Sequence, residues 1–352
     1  MHGDLRGMGD AAYFSYYSML THQQNMLEDN ERTGKYYSAI SENPNDFKDK
    51  VVLDVGAGSG ILSLFAAKAG AKKVYAVEAS GITDLTRSLV RNNGFEDVIE
   101  VIQGKMEQVA LPEMVDVIIS EPIGVLLVHE RMIESFLFAR DKWLKKPDVA
   151  NFSGFQPSQM YPSKGDIVLS PFTDYSLYQQ TIEKANFWKN ESFFNVALSG
   201  LTNEAVAHHF SQVVVGIFDP STLISEPITH SIDFSQISTQ SLQDFVVPLS
   251  FEAHCTTLVH GLAGWFDLDF LGSEKRFKLS TSPACVPTHW HQLRLLLKMP
   301  IAVNCGQVLE GTLCFKANSE RSYDLDLTLN LKETEIRAAN TFKLQHQRYS
   351  YL

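Results

Sequence analysis

The chain has 352 residues, 44% of them apolar and 20% charged, which allows two domains with buried cores and excludes disordered and fibrous proteins. Its 30 basic and 41 acidic residues give a net charge of −11, which argues against direct binding of nucleic acid and suits cationic partners. No apolar run reaches the roughly 18 residues of a membrane span, no secretory signal opens the chain, and the four cysteines form no C-x-x-C pair, so we expect an intracellular protein without a metal site.

The first half of the chain alternates short apolar strands with helical segments. The apolar run 51–55 predicts a strand buried on both faces, followed by a glycine loop and a helix that Gly70 closes. Further elements are predicted along the chain: a strand at 73–77, a helix around 83–92, and strands at 98–102 and 115–119. This alternation predicts βαβ units and a parallel sheet.

The pattern changes near Tyr161. Beyond it, apolar and polar residues alternate, most clearly over 323–331 and 266–270, which predicts half-buried antiparallel strands in a barrel or sandwich. Residues 178–201 predict a helical excursion with large aromatic side chains, which are either core or an association surface. Residues 151–162, rich in Ser, Gly, Gln and Pro, predict a loop.

A glycine loop at 56–60 stands between a predicted strand and a predicted helix. Glycine lets a ligand approach the backbone closely, and Glu78 ends the next strand, where it can accept two ribose hydroxyls. The pattern indicates a nucleoside-containing cofactor, with a tight turn without ligand as the alternative. The G-x-G-x-G spacing weakly favours S-adenosyl-L-methionine over NAD, and Arg32 is a candidate partner for the carboxylate of that cofactor.

Two glutamates flank a Pro-x-Gly turn after the strand at 115–119. Glu121 follows that strand directly, and Glu130 comes nine residues later. Adjacent carboxylates repel, but a guanidinium between them removes the conflict because its planar donors match both acids. The alternatives are a capping acid for Glu121 and a solvated acid on a helix face for Glu130.

Seven motifs in order resemble the type I protein arginine N-methyltransferases, and they are most similar to the coactivator-associated (class 4) histone-arginine methyltransferase subgroup. The two most specific are the double-Glu segment (Ser120-Glu121-Pro122 with Glu130-Arg131-Met132) and Thr288-His289-Trp290. The others lie at 13–17, 25–29 with 32–34, 52–56, 76–80 and 104–107.

The resemblance implies a fold and the positions at which the chain divides into domains. It implies an α/β chain in which a Rossmann-like class I methyltransferase domain is followed by an antiparallel β-barrel domain with a helical dimerisation arm. The expected parts are cofactor-covering helices at 1–45, the S-adenosylmethionine-binding domain at 46–160, the barrel substrate domain at 161–352, and the arm at about 174–204.

The resemblance also implies site residues for methyl transfer from S-adenosyl-L-methionine to arginine guanidino nitrogens of proteins. Catalytic roles fall on Glu121, Glu130, Asp29 and His289. The residues expected to contact the cofactor are Tyr17, Met26, Arg32, Gly56, Gly58, Glu78, Met106, Glu107 and Met132. The residues expected to contact the substrate are Tyr17, Glu121, Glu130, His289 and Trp290. The His289–Asp29 pair is either structural or a proton relay, and the two methionines Met26 and Met132 either flank the reacting centre or fill core.

Several positions depart from the family pattern. Ile123-Gly124-Val125 replaces Met-Gly-Tyr, His129 and Ala57 are unusual at their positions, and 146–160 is longer than the family's link. Val125 and that longer link favour the alternative of a catalytically weakened scaffold that binds partners through its arm. A small-molecule methyltransferase is a third possibility, disfavoured by the double-Glu segment.

Partners and location follow from the resemblance as well. The expected partners are histones and transcription or RNA-processing proteins that contain the target arginine. We further expect a homodimer in nucleus and cytoplasm, making mono- and asymmetric dimethylarginine, without nucleic acid or membrane contacts.

Overall fold

The structure, a computed structural model, describes residues 10–146 and 159–350. None of the helices in these two ranges is long and apolar enough to cross a membrane. The helices are α1 (Asp10–Tyr17), α2 (Leu20–Glu28), α3 (Asn30–Ser41), α4 (Pro44–Phe47), α5 (Ile61–Lys68), α6 (Thr83–Asn92), α7 (Ile133–Trp143), α8 (Tyr175–Asn186), α9 (Thr202–Ser211) and α10 (Thr239–Gln243).

The first sheet is parallel and has five strands. They are β1 (Val51–Val55), β2 (Lys73–Glu78), β3 (Ile99–Gln103), β4 (Val117–Ser120) and β5 (Met160–Tyr161), in the spatial order β3-β2-β1-β4-β5. All five residues of the central strand β1 are buried, as its mostly apolar sequence, interrupted only by Asp54, predicts for a strand covered on both faces. The predicted parallel sheet is confirmed.

Two details of this sheet differ from the sequence prediction. Val115 lies outside β4 because the side chain of Asp116 accepts a hydrogen bond from Val51 N (2.8 Å) and interrupts the ladder. The predicted loop at 151–162 is wrong at its end: Met160–Tyr161 pairs with β4, since the edge of β4 offers free backbone groups. Residues 151–158 lie outside the described residues.

The second sheet has ten strands. They are β6 (Lys164–Phe172), β7 (Gln212–Gly216), β8 (Ile228–Asp233), β9 (Asp244–Glu252), β10 (Thr257–Leu271), β11 (Arg276–Ser280), β12 (Gln292–Val303), β13 (Val308–Ala317), β14 (Tyr323–Leu331) and β15 (Arg337–Tyr349). Their order is β8-β6-β10-β12-β7-β15-β14-β13-β9, with β11 beside β10. The outermost strands β8 and β9 meet through stacked His230 and Phe245 rings, 5.3 Å apart, so the sheet is nearly closed into a barrel.

The barrel is antiparallel except for one pair. The alternation over β14 is borne out, because its odd residues are buried in the barrel and most of its even residues are exposed. The predicted antiparallel barrel is confirmed, and within it one pair of strands, β15 and β7, runs parallel. Strands β8 to β14 separate these two along the chain, and a parallel pair cannot be joined by a tight hairpin.

The arm begins as a helix and then changes character. Asp174 caps α8 by accepting a hydrogen bond from Leu177 N (2.8 Å). The helix ends at Asn186, so the predicted helical excursion is wrong beyond that residue. Short 3₁₀ turns at Phe187–Lys189 and Ser199–Leu201 lead into α9.

The two sheets lie next to each other in the chain. The division proposed from the sequence, between residues 160 and 161, falls inside β5, just before β6 begins at Lys164. A buried Asn43 joins the N-terminal helices to the barrel, because its Oδ1 accepts hydrogen bonds from Glu274 N (2.9 Å) and Lys275 N (2.8 Å). The N-terminal helices therefore contact both sheets, and the site lies among these three parts.

Candidate active site

The glycine loop lies at the carboxyl end of β1. Gly56, Gly58 and Gly60 all have positive φ (71°, 53° and 83°), a conformation that glycine adopts without strain. A side chain at Gly56 would meet the methyl group of Met132 at 2.0 Å, and one at Gly58 would meet the amide of Gln23 at 2.8 Å. The absence of side chains at these two positions therefore allows Met132 and Gln23 to pack closely against the loop, which lines the cavity described below.

Glu78 lies beside this loop, at the end of β2. Its Oε2 accepts a hydrogen bond from Gly58 N (2.8 Å) and its Oε1 one from Ser80 N (2.6 Å). These bonds fix the carboxylate, and each oxygen keeps a free lone pair that can accept a further hydroxyl. Glu78 thus lies at the end of β2, next to the glycine loop.

The N-terminal helices cover the loop through a residue that the sequence analysis missed. Gln23 accepts a hydrogen bond from Ser59 N (2.9 Å) and donates one to Tyr17 O (2.9 Å). It joins the glycine loop to the end of α1. Nothing in the sequence around it sets this glutamine apart from its neighbour Gln24.

The segment from Glu121 to Arg131, which we call the double-Glu loop, has a strained backbone. Four of its non-glycine residues have positive φ: Leu126, Leu127, Glu130 and Arg131. Gly124 leaves no space for a side chain, because a Cβ there would lie 2.3 Å from His129 O. Such strain persists only where surrounding structure imposes it, and it is concentrated at functional sites.

Trp290 is one of the residues that hold this loop. Its indole Nε1 donates to Ile123 O (3.0 Å), and its ring packs edge-on against Phe266 with centroids 5.2 Å apart. Trp290 is buried, although it lines the cavity. The structure therefore supports a positioning role for Trp290 more directly than the expected substrate contact.

Glu121 forms an ion pair with Arg32. Both Nε (3.1 Å) and Nη2 (2.9 Å) of Arg32 donate to Glu121 Oε2, and both side chains are about nine-tenths buried. The remaining Nη1 donates to Met26 O (3.2 Å). The sequence predicts Arg32 as a candidate partner of a cofactor carboxylate. In the structure its guanidinium neutralises and orients Glu121, whose Oε1 accepts a hydrogen bond from Ile123 N (3.2 Å).

Glu130 is held by tyrosines instead of a cation. The hydroxyls of Tyr13 (2.8 Å) and Tyr17 (2.7 Å) both donate to its Oε2. Burial raises the pKa of Glu130, the two tyrosine hydroxyls lower it, and the charge of Glu121 raises it again. The net direction is upward, so Glu130 holds a proton more readily than an exposed glutamate does.

Asp29 and His289 lie together. His289 Nδ1 is 2.7 Å from Asp29 Oδ2, the His289 backbone N donates to the same oxygen (2.8 Å), and Arg32 N donates to Oδ1 (3.0 Å). Burial alone would raise the pKa of Asp29, but the hydrogen bonds from His289 and Arg32 outweigh it and lower the pKa below its usual value. Asp29 therefore stays ionised at physiological pH.

The remaining predicted residues line the same cavity. They are Tyr17, Met26, Met106, Glu107 and Met132. The Glu107 carboxylate accepts a hydrogen bond from Ser135 Oγ (2.6 Å), and Met106 is buried. The structure therefore brings together every residue that the resemblance implied.

The cavity between these elements has a volume of about 820 Å³. This lies within the range of about 300–1,000 Å³ that small-molecule sites have. Beneath it, burial raises the pKa of Asp54 to about 7, and Ser63 Oγ donates to its carboxylate (2.6 Å). Within residues 10–146 and 159–350, no group of three His, Cys, Asp or Glu side chains could hold a metal ion.

The departures from the family pattern are compatible with this geometry. Val125 lines the cavity and packs against the core, and Ala57 is buried in the glycine loop. His129 is buried, and its Nδ1 lies 2.9 Å from Ser322 Oγ. The longer link at 146–160 lies mostly outside the described residues.

Family profiles match both halves of the chain. The profile described as the arginine methyltransferase oligomerization subdomain matches residues 164–335. That of the ribosomal protein L11 methyltransferase (PrmA) matches residues 39–136. Together they cover the barrel from β6 to β14 with its arm, and the first four strands of the parallel sheet.

Full-length relatives and a solved structure match over nearly the whole chain. It is 44% identical to the histone-arginine methyltransferase CARMER of Drosophila yakuba over 96% of this chain and 62% of that protein. It is 47% identical to the probable histone-arginine methyltransferase 1.3 of Arabidopsis thaliana over 91% of this chain and 58% of that protein. The chain thus spans about three fifths of the length of these relatives. A complex of Trypanosoma brucei, the PRMT1 enzyme-prozyme heterotetramer with AdoHcy, matches with a TM-score of 0.82 and 34% identity over 93% of this chain and 99% of that chain.

Proposed function

The chain belongs to the protein arginine methyltransferase family, and from this membership we propose that it transfers methyl groups from S-adenosyl-L-methionine to arginine guanidino nitrogens in proteins, histones among them. The proposal includes the type I outcome, mono- and asymmetric dimethylarginine. The identity of 44% to 47% with histone-arginine methyltransferases supports the coactivator-associated (class 4) subgroup.

The observation that carries the proposal is the pair of buried carboxylates at one cavity. Glu121 is oriented by Arg32, and Glu130 by Tyr13 and Tyr17, so that neither acid depends on the other for its hydrogen bonds. Two acids held in this way attract one planar cation. A guanidinium is the side-chain group that donates to two carboxylates at once.

The residues present fit S-adenosyl-L-methionine. The cavity is large enough, the glycine loop lines it, and the carboxylate of Glu78 offers free lone pairs for the two ribose hydroxyls. The residues assigned to hold it are Tyr17, Met26, Arg32, Gly56, Gly58, Glu78, Met106, Glu107 and Met132. When bound, this molecule supplies an electrophilic methyl group on a sulfonium sulfur.

Glu121 and Glu130 act on the substrate arginine. The guanidinium pKa lies above about 12, so this side chain enters the site charged and delocalised. Two carboxylates on one side of the guanidinium draw its positive charge toward themselves and leave more electron density on the nitrogen that attacks. Most of the rate acceleration is then positioning plus fixed charge.

The chain's own residues must also accept the proton that the substrate guanidino group releases. A guanidino nitrogen that gains a methyl group must lose a proton. Glu130, whose pKa is raised by burial, can hold a proton more readily than an exposed acid. The Asp29–His289 pair either relays that proton or fixes α3 against the barrel, and both roles need the 2.7 Å contact.

The function is tested by incubating the chain with radiolabelled S-adenosyl-L-methionine and a histone mixture. Mass spectrometry of the labelled product then identifies the modified residue. Label on arginine as mono- and asymmetric dimethylarginine supports the proposal. Label on another residue, or none with any histone or arginine-rich protein, contradicts it.

The weakened scaffold is the second candidate, and Val125 is the observation that favours it. The family's tyrosine at this position would add one hydroxyl to the cavity wall. Losing one hydrogen bond costs about 0.5–3 kcal/mol, which slows a reaction by roughly 2- to 100-fold without abolishing it.

We therefore expect Val125→Tyr to raise turnover while the cofactor dissociation constant stays unchanged, because Val125 belongs to the double-Glu loop and not to the glycine loop. Steady-state kinetics with calorimetric titration of the cofactor measures both. Val125→Phe is the matched control, since it adds the ring without the hydroxyl. Equal rates for wild type and Val125→Tyr would show that the position is neutral.

Assembly and location complete the proposal. The match to an oligomerization subdomain over 164–335 and the exposed aromatic side chains of the arm support a homodimer. Substrates in transcription and RNA processing, beside histones, and a distribution over nucleus and cytoplasm remain part of the proposal on the strength of the family resemblance.

A further inference from the structure

The turn between β13 and β14, residues 318–322, contacts the site from the barrel side, and the proposed reaction assigns it no task. We call it the barrel turn. Arg321 in this turn has φ +52°, in the left-handed region that residues other than glycine and asparagine rarely adopt. Its side chain lines the cavity. The turn therefore presents a charged side chain to the site from a strained backbone.

Asn318 fixes the conformation of the barrel turn. Its Oδ1 accepts hydrogen bonds from Glu320 N (3.0 Å) and Ser322 N (3.2 Å), and its Nδ2 donates to Asp324 Oδ1 (2.9 Å). These bonds hold both ends of the turn. Arg321 is thus carried by a rigid element.

The barrel turn also contacts the double-Glu loop at two points. Ser322 Oγ lies 2.9 Å from His129 Nδ1, and Asn318 O accepts a hydrogen bond from Arg131 Nη1 (2.7 Å). Burial lowers the pKa of His129 to about 4, so the imidazole stays neutral at physiological pH. The residues on either side of Glu130 are therefore tied to the barrel turn.

Arg321 itself contacts α1. Its guanidinium carbon lies 4.3 Å from the ring centroid of Tyr13 and 5.9 Å from that of Phe14, both within the distance of a cation–π interaction. The hydroxyl of the same Tyr13 donates to Glu130 Oε2. One chain of contacts thus runs from the barrel turn through α1 to Glu130.

We propose that Arg321 is a positioning residue that fastens α1 to the barrel and thereby fixes the hydrogen bond from Tyr13 to Glu130. This inference rests on the proposed methyl transfer, because the hydrogen bond from Tyr13 to Glu130 affects catalysis only if Glu130 binds the substrate. The contacts themselves do not depend on it.

The charge of Arg321 has a second consequence. The groups that face Glu130 are Tyr13 and Tyr17 from α1, Glu121 with its partner Arg32, and Arg321 from the barrel turn. Burial raises the pKa of Glu130, and Arg321 opposes that rise together with the tyrosine hydroxyls. Without Arg321 the pKa of Glu130 rises further, so the ionised acid is lost at a higher pH.

The test compares wild type with Arg321→Gln, which removes the charge but keeps a Cβ at the strained position, and with Arg321→Lys, which keeps the charge without the planar group. Arg337→Gln, an exposed arginine at the start of β15, is the matched control. Hydrogen exchange of the α1 amides is measured without cofactor or substrate. The pH dependence of kcat/KM is measured separately.

We expect the α1 amides, and Ser18 N, which donates to Phe14 O of α1 (3.1 Å), to exchange about 3- to 30-fold faster in Arg321→Gln, the range that loss of a partly desolvated cation–π contact implies. The acidic limb of the kcat/KM profile should move to higher pH in this variant and return toward wild type in Arg321→Lys. Arg337→Gln should change neither.

Unchanged exchange in both Arg321 variants overturns the positioning role, and an unmoved acidic limb in Arg321→Gln overturns the electrostatic one. Exchange decides the positioning role even if wild type transfers no methyl group. Failure of the proposed function is therefore distinguishable from failure of this inference.

Discussion

Replacing Glu130 by Gln is expected to lower the rate of methyl transfer by about 100- to 1,000-fold, the usual effect of removing one preorganised charged group from a reacting centre. The amide keeps the size of the carboxylate and can still accept from Tyr13 and Tyr17. Only the charge that attracts the substrate guanidinium is lost. Cofactor affinity should remain nearly intact, because the glycine loop and Glu78 do not contact Glu130.

Glu121→Gln should reduce the rate at least as much and should also lower stability. The change leaves Arg32 buried without its ionic partner, and breaking a buried pair costs about 3–5 kcal/mol. Thermal unfolding therefore separates the two variants, with Glu130→Gln close to wild type and Glu121→Gln below it.

Single-turnover kinetics and calorimetric titration of the cofactor measure rate and affinity independently. Glu310→Gln is the control, because Glu310 forms an exposed pair with Lys332 on the barrel surface. Wild-type turnover in both single variants would show that the two acids do not bind a cation and would contradict the proposed mechanism.

Replacing Phe187, Phe193 and Phe194 of the arm by Ser is expected to convert the proposed homodimer into monomers. The three rings lie edge to face, with centroids 5.6 Å apart between Phe187 and Phe193 and 4.9 Å apart between Phe193 and Phe194. Phe194 is 87% exposed in the single chain. Aromatic anchors that become buried in an interface contribute about 2 kcal/mol or more each, so each loss weakens the dimer by roughly 30-fold or more.

Sedimentation velocity over a concentration series measures this dissociation. Met299→Ser is the control, since Met299 is 77% exposed on the barrel and outside the arm. Methyl transfer should fall with the dimer, because Arg348, which lines the cavity, donates to Thr181 on α8 (2.9 Å) and so connects the arm to the site. A monomeric wild type, or a triple variant that stays dimeric, would contradict the assignment of the arm.

The fold was predictable where local pattern decides it. In β1, in the glycine loop and in β14, the residues that determine the local structure are consecutive in the sequence. The parallel pairing of β15 with β7 was not predictable, because it joins two strands that seven other strands separate along the chain. Likewise, Met160–Tyr161 became a strand only because β4 offers it an edge.

The candidate site, too, was predictable only in part. Motif resemblance identified the two glutamates and the contact of Asp29 with His289. It did not reveal that Arg32 orients Glu121 or that Tyr13 hydrogen-bonds to Glu130, residues separated by 89 and 117 positions in the chain. No residue spacing encodes such distant contacts. Arg321 was missed for the same reason, because its turn approaches α1 only in the folded chain.

The carboxylate of Asp29 makes contacts in two parts of the chain that are far apart in sequence, so the order of synthesis determines when each contact can form. One oxygen caps α3 and the other binds His289, which lies 260 residues further along the chain. At translation rates of about 5–20 residues per second, His289 is made roughly 13–50 s after Asp29. During that interval the nascent chain can form α3 and the glycine loop but not the finished site. A growing polypeptide therefore acquires this contact only after most of its length has been translated.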